Sequence, residues 1–165
     1  VEKTSSGTSW GAVYAQFFQP VTEIRASNAG LTIKRELFVR KSNNNTKDVV
    51  QAKVGDKLVI RITIVADRDY DFVQVSDKRP ACLEPVAQTS GYQEGSYYIA
   101  PKDYCTNYYF DMMAKGTHIV ETEYFVDREG IYQSGTCTAQ CAYAPEYTGR
   151  EGAIKIKVNN NNASN

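Results

Sequence analysis

The chain is short of most of the groups that catalysis depends on. Its 165 residues include one histidine, His118, and one tryptophan, Trp10. A multi-histidine metal site or a histidine triad would therefore have to be built around a single imidazole. Charge of one sign is missing as well. Nineteen Lys and Arg balance nineteen Asp and Glu, so no strong field draws the chain to nucleic acid or to an anionic membrane. No apolar run approaches the roughly twenty residues of a spanning helix, so direct membrane insertion is not expected. The chain opens at Val1 without a signal-like apolar segment. A mature product or an excised fragment fits that, and the fragment fits better.

What is present is alternation of period two. Leu58, Ile60, Ile62 and Ile64 alternate with Val59, Arg61, Thr63 and Val65, as in a half-buried strand. Tyr108, Phe110 and Met112 repeat the pattern. After a turn at Lys115-Gly116, so do His118, Val120, Thr122, Tyr124 and Val126, and Ile154, Ile156 and Val158 close the series. Further strands are expected at Val13–Phe18, Leu31–Val39, Phe72–Val75 and Thr136–Tyr143. Turn residues punctuate them at Gly55-Asp56, Asp77 to Pro80, and Glu129-Gly130. Seven to nine short strands and under about one-tenth helix predict an all-β fold, an antiparallel β-sandwich. The polar run Ser42 to Lys47 reads as a loop. Asn159 to Asn165 reads as a tail that cannot order itself by burial.

Four cysteines remain: Cys82, Cys105, Cys137 and Cys141. Four thiolates could bind one zinc ion, but no pair has C-x-x-C spacing. Disulfides are the plainer reading and imply an oxidising compartment. If residues 136–143 are extended, Cys137 and Cys141 lie about 13 Å apart, too far to bond each other. Cys82 and Cys105 are then their partners, in one of two arrangements. The nested one, Cys82–Cys141 with Cys105–Cys137, suits antiparallel neighbours better. Its roughly 60-residue outer loop would contribute about 4 kcal/mol by chain entropy.

Other candidate sites reduce to packing. His118 falls on the inward phase of its strand. Asp67, Asp69 and Asp71 alternate as in a calcium loop, yet lack the glycine turn and distal glutamate of an EF-hand. "CLEP" (Cys82 to Pro85) differs by one residue from the C-x-E-Q of an internal thioester, but Pro85 has no side-chain carbonyl to acylate the cysteine. Twelve tyrosines could form a sugar-stacking surface. Tyr97-Tyr98 and Tyr108-Tyr109, however, are adjacent pairs whose members point to opposite faces of a strand. No cofactor, metal or enzymatic activity is expected.

The ordered succession of "VGDKLVIRITIVADRDYDFVQVSDKRPACLEPV" and "YYFDMMAKGTHIVETEYFVDREGIYQSGTCTAQCAYAPEYTGREGAIKIKV" resembles the last macroglobulin-like domain of bacterial α2-macroglobulins. In that family a similar "DRDxDFV…P" segment, a "LPKGTH" hairpin and an "MYxPE" corner recur in this order. The leading "WGAVYAQFF" and "LTIKRELFVRK" resemble the run into that domain, as in members from Bacteroidetes-type bacteria. The likeness spans about Trp10 to Val158. It implies a lead-in over residues 1–41 that contributes strands, a macroglobulin-like sandwich over 42–158, and a polar tail over 159–165.

Functionally, the resemblance implies a non-catalytic piece of a large periplasmic or cell-surface protease trap. Its partners would be neighbouring domains of the parent chain and, through the intact parent, target proteases. Position by position, the family's methionine falls on Ala142 and its tyrosine on Tyr143, followed by Pro145 and Glu146. These four are the expected interface. In thioester-bearing members the tyrosine is thought to keep water from the reactive bond, a task suited to a large rigid ring. Alanine at 142 removes half of that cover, and the other reading is that Tyr143 packs at the strand end within this domain; Pro145, which lacks an N–H, favours exposing the corner. A stand-alone immunoglobulin-like adhesive or carbohydrate-binding domain is the alternative, and it predicts a contiguous exposed aromatic platform.

Overall fold

The computed structural model describes residues 6–8, 10–11, 14–16, 18–39, 49–93 and 97–160. Its longest strands follow the apolar alternation. In β4 (Lys57–Ala66), Leu58, Ile60, Ile62 and Ile64 are fully buried, each burial contributing about 1.5–3 kcal/mol relative to exposure. β10 (Gly116–Val126) pairs with β4 antiparallel over ten residues and buries Val120, Thr122, Tyr124 and Val126. On the other side of β4 lies β2 (Leu31–Val39), and beyond β10 lies the short β6 (Leu83–Pro85). These four make one layer.

The facing layer has seven strands. Its centre is β5 (Tyr70–Asp77), flanked by β9 (Thr106–Met113) and β12 (Cys137–Cys141). β8 (Tyr97–Pro101) and β7 (Gly91–Gln93) extend it past β9. β13 (Thr148–Glu151) and β1 (Ser27–Ala29) extend it past β12. A third sheet joins β11 (Gly130–Gln133), β14 (Lys155–Asn159) and β3 (Val49–Lys53). Among the described strands every pair is antiparallel except β14 with β3, which run parallel. Among the described residues the sole helical element is a 3-10 turn at Val21–Glu23. The fold is an all-β sandwich.

Buried side chains of the two large layers form one core, and polar bridges cross it. Tyr108 Oη and Thr122 Oγ1 lie 2.7 Å apart, and Tyr124 Oη and Thr106 Oγ1 lie 2.8 Å apart. Both pairs are buried, so each hydroxyl is satisfied by its partner in the opposite sheet. Arg35 crosses in the other direction. From β2 its guanidinium donates to Asp77 Oδ1 at 2.6 Å, Ser134 Oγ at 2.8 Å, Gly135 O at 2.9 Å and Gly152 O at 2.6 Å.

Several expectations change. The described part of Val13–Phe18, namely residues 14–16 and 18, carries no strand. Ser42 to Lys47 lies outside the described residues, as do 161–165, and Asn159 ends β14 instead of opening a tail. The Lys115-Gly116 turn joins no hairpin. β9 pairs with β5 and β8, β10 with β4 and β6, so the chain there steps from one sheet to the other. The β4–β5 connection steps between the same two sheets. The two crossings are tied together by the Lys115 N–H, which donates to Asp69 Oδ1 at 2.6 Å.

The nested disulfides are not formed: all four cysteines are buried free thiols. Cys137 and Cys141 do close opposite ends of β12, facing Asp77 and Val73 across the ladder to β5. The partners are what fail. Cys82 precedes β6, at the end of β10 where Tyr124 reaches Thr106, which faces Asp77. That is the Cys137 end of the molecule, so Cys82 cannot meet Cys141. Cys105 precedes β9, which β5 separates from β12. Two strand spacings are about 9.6 Å, beyond disulfide reach. Burial pushes the Cys82 thiol up to about 11 and Cys137 well above its ordinary value, which suppresses the reactive thiolate.

Candidate docking corner

The turn that links β12 to β13 contains Ala142, Tyr143, Pro145 and Glu146, and all four are exposed. Its backbone is closed by local bonds. Cys141 N–H donates to Tyr147 O at 3.1 Å, and Tyr147 N–H to Ala144 O at 2.9 Å. Pro145 has no N–H to leave unpaired, and its carbonyl accepts from Gln140 Nε2 at 3.3 Å. The Ala142 N–H donates to Phe72 O on β5 at 2.8 Å. The corner therefore stands at the end of the seven-stranded sheet, fastened to its central strand.

Two tyrosines of the turn divide the work. Tyr147 faces inward: its ring centroid lies 5.3 Å from that of Tyr70 and 5.0 Å from the Arg68 guanidinium carbon. Tyr70 is anchored in turn, its hydroxyl donating to Asp67 Oδ1 at 2.5 Å. Tyr143 faces outward with 79% of its surface exposed. Its ring meets Phe72 edge to face, with centroids 5.1 Å apart and planes at 84°. Phe72 is 48% exposed, and Met112, near it on the neighbouring strand β9, is 66% exposed.

The aspartates beside it are held by local partners. Hydrogen bonds from Arg68 and Tyr70 hold the Asp67 carboxyl below its ordinary value, and Asp69 caps Lys115. Among the described residues no group of three His, Cys, Asp or Glu could hold a metal ion. His118 Nε2 lies 2.7 Å from Ala114 O, a local bond that steadies the β9–β10 crossing.

A second aromatic row lies on the outer face of the same sheet. Tyr92, Tyr98 and Tyr109 face one another across β7, β8 and β9. The adjacent pairs split as their spacing requires, with Tyr108 buried and Tyr109 outward. The outer rings are tilted, at 75° between Tyr92 and Tyr98 and 49° between Tyr98 and Tyr109. They pack on each other's edges, unlike the coplanar platform on which a sugar ring stacks.

Geometry places an exposed aromatic corner at one end of an all-β sandwich. The chain belongs to the bacterial α2-macroglobulin MG10 domain family, whose model matches residues 30–146. It is similar to trypsin-activated α2-macroglobulin from Escherichia coli, with a TM-score of 0.70 at 17% identity over 82% of this chain and 11% of that one. Native Escherichia coli α2-macroglobulin spanning domain MG7 to the C-terminus gives 0.66 at 16% identity, over 84% and 25%. Salmonella α2-macroglobulin reacted with methylamine gives 0.65 at 18% identity, over 81% and 10%. No curated protein sequence matches the chain. The chain thus spans between a tenth and a quarter of these solved structures.

Proposed function

We propose that this domain is a non-catalytic structural part of a bacterial α2-macroglobulin-like protease trap in the periplasm or at the cell surface. Its Ala142–Glu146 corner packs against the neighbouring thioester-domain region of the parent and shields it. The observation that carries this reading is the outward ring of Tyr143, held at a hydrogen-bonded turn. A tyrosine excludes water over a large rigid area and loses little rotamer freedom when covered. Target proteases meet the parent, not this module. The tilted outer tyrosines do not favour the stand-alone carbohydrate-binding alternative.

The test places a photo-crosslinking phenylalanine analogue at position 143 of the intact parent chain. Crosslinks should map to one neighbouring domain within the same chain. Crosslinks absent, or scattered over many sites, would remove the docking role. Where the parent carries a C-x-E-Q thioester, Tyr143→Ala should also speed its spontaneous hydrolysis, and an unchanged rate would remove the shielding role.

A further inference from the structure

Phe72 has φ of 53°, the one non-glycine residue in the left-handed region among those described. A bulky side chain adopts that backbone only where its surroundings over-determine it, and such positions gather at functional surfaces. The consequence along β5 is visible. Val73, Val75 and Asp77 are buried with one residue between each, so unbroken alternation would bury Asp71 and expose Tyr70. The reverse occurs: Tyr70 is buried and Asp71 exposed. β9 shifts at the same level, burying Phe110 and then Met113, which leaves Met112 outside. The ladder pairs Asp71 with Met112 and Val73 with Phe110 and skips the position between.

At that skipped position the Phe72 carbonyl turns to accept the Ala142 N–H, and the ring supports Tyr143 from the side. We infer that Phe72 is the positioning residue for Tyr143, and that the two rings form one wedge inserted into an apolar surface of the neighbouring domain of the parent chain. This rests on the reading that the Tyr143 corner meets that domain. The occupant follows from three observations. The matched chains extend far beyond this domain, which covers 10% to 25% of them. Three large side chains, Tyr143, Phe72 and Met112, are left wet at one end of the sheet, a cluster that marks an interaction surface. The exposed residue beside Tyr143 is Ala142, small enough to leave the ring open to Phe72 on one side and to a partner on the other.

The experiment is hydrogen exchange on the intact parent chain, read at peptides covering residues 67–75 and 140–148. Tyr143→Ala should raise exchange there by roughly tenfold or more, as local opening does. Phe72→Ala should match it, and so should Phe72→Asn, which keeps the left-handed backbone at lower cost and removes the ring. The double variant should add little to either single one, and Phe72→Tyr should stay at the wild-type rate. Amides of β4 and β10 should keep their protection in every variant. If Tyr143→Ala opens the corner while the Phe72 variants do not, the wedge is refuted and the docking reading stands. If Tyr143→Ala changes nothing, both fall.

Discussion

The guanidinium of Arg35 is sealed from solvent and cannot shed its charge, so it has to be matched where it lies. Asp77, equally sealed, takes one nitrogen, and a hydroxyl with two carbonyls takes another. Arg35 Nε and Asp77 Oδ2 are left without partners, so the pair is closer to a cross-sheet pin than to a source of net stability. Breaking such a pair costs about 3–5 kcal/mol, whereas replacing both members by apolar groups is often neutral. Arg35→Met should therefore lower unfolding stability by about 3 kcal/mol or more in urea titrations, and Arg35→Met with Asp77→Leu should recover much of that loss. Burial pushes the Asp77 carboxyl up while Arg35 opposes the shift. With Arg35 gone the folded state should prefer the proton, so that variant should lose stability as pH rises above the ordinary 3.8. A double variant as unstable as the single one would show that the pin stabilises by itself. Both residues were legible in outline, since Arg35 shares the phase of Leu31, Ile33 and Leu37, and Asp77 that of Val73 and Val75. A charged residue in an apolar phase of two strands is the signal that was passed over. The exposure of Tyr143 was legible from its turn. Phe72 was not, because nothing in "DYDFV" announces a left-handed backbone.

Among the elements, length decided what could be read. β2 matches the expected Leu31–Val39 in full, and β4, β9 and β10 were marked by runs of alternation too long to arise in another structure. β1, β6, β7, β11 and β13 have three or four residues each, too few for period two to stand out. Alternation also failed where the backbone departs from regular pleat, which is why Met112 was expected inside. The disulfide pairing failed for a related reason: it needed strand order, and spacing carries none. One junction can be tested directly. Gly30, between β1 and β2, has φ of 83°, and a Cβ there would run into the Tyr70 hydroxyl and the Tyr147 ring. Gly30→Ala should cost about 2 kcal/mol or more, from left-handed strain plus displacement of both rings. Gly55→Ala, at φ of 87° but in open space, should cost only about 1–2 kcal/mol from strain alone. Urea unfolding of the two variants checks the contrast, and equal losses would mean that Tyr70 and Tyr147 yield freely.

For the molecule as a whole, the two large sheets are held by an apolar core with hydroxyl pairs set inside it, and that design has a pH limit. Tyr108 and Tyr124 lie fully buried between the layers, bonded to Thr122 and Thr106. Burial raises the Tyr124 phenol from 10.0 to about 12 and the Tyr108 phenol well above 10.0, because a phenolate there would lose its hydration. In the unfolded chain both phenols ionise near the ordinary value. Folded-state values above the unfolded ones mean that the stability these groups contribute is whole below pH 10 and drains away as pH rises toward 12 and beyond. For Tyr124 the interval from 10.0 to about 12 corresponds to roughly 3 kcal/mol. The domain should thus keep an even stability from neutral pH to about 10 and unfold cooperatively above it. The tyrosinate absorbance of the buried pair should rise only with loss of the far-ultraviolet strand signal. Tyr124→Phe should shrink the loss of stability between pH 10 and 12, since it removes a group that drives the transition, while lowering stability at neutral pH because buried Thr106 loses its partner. A buried pair that ionised before the strands were lost would show that water reaches the space between the sheets.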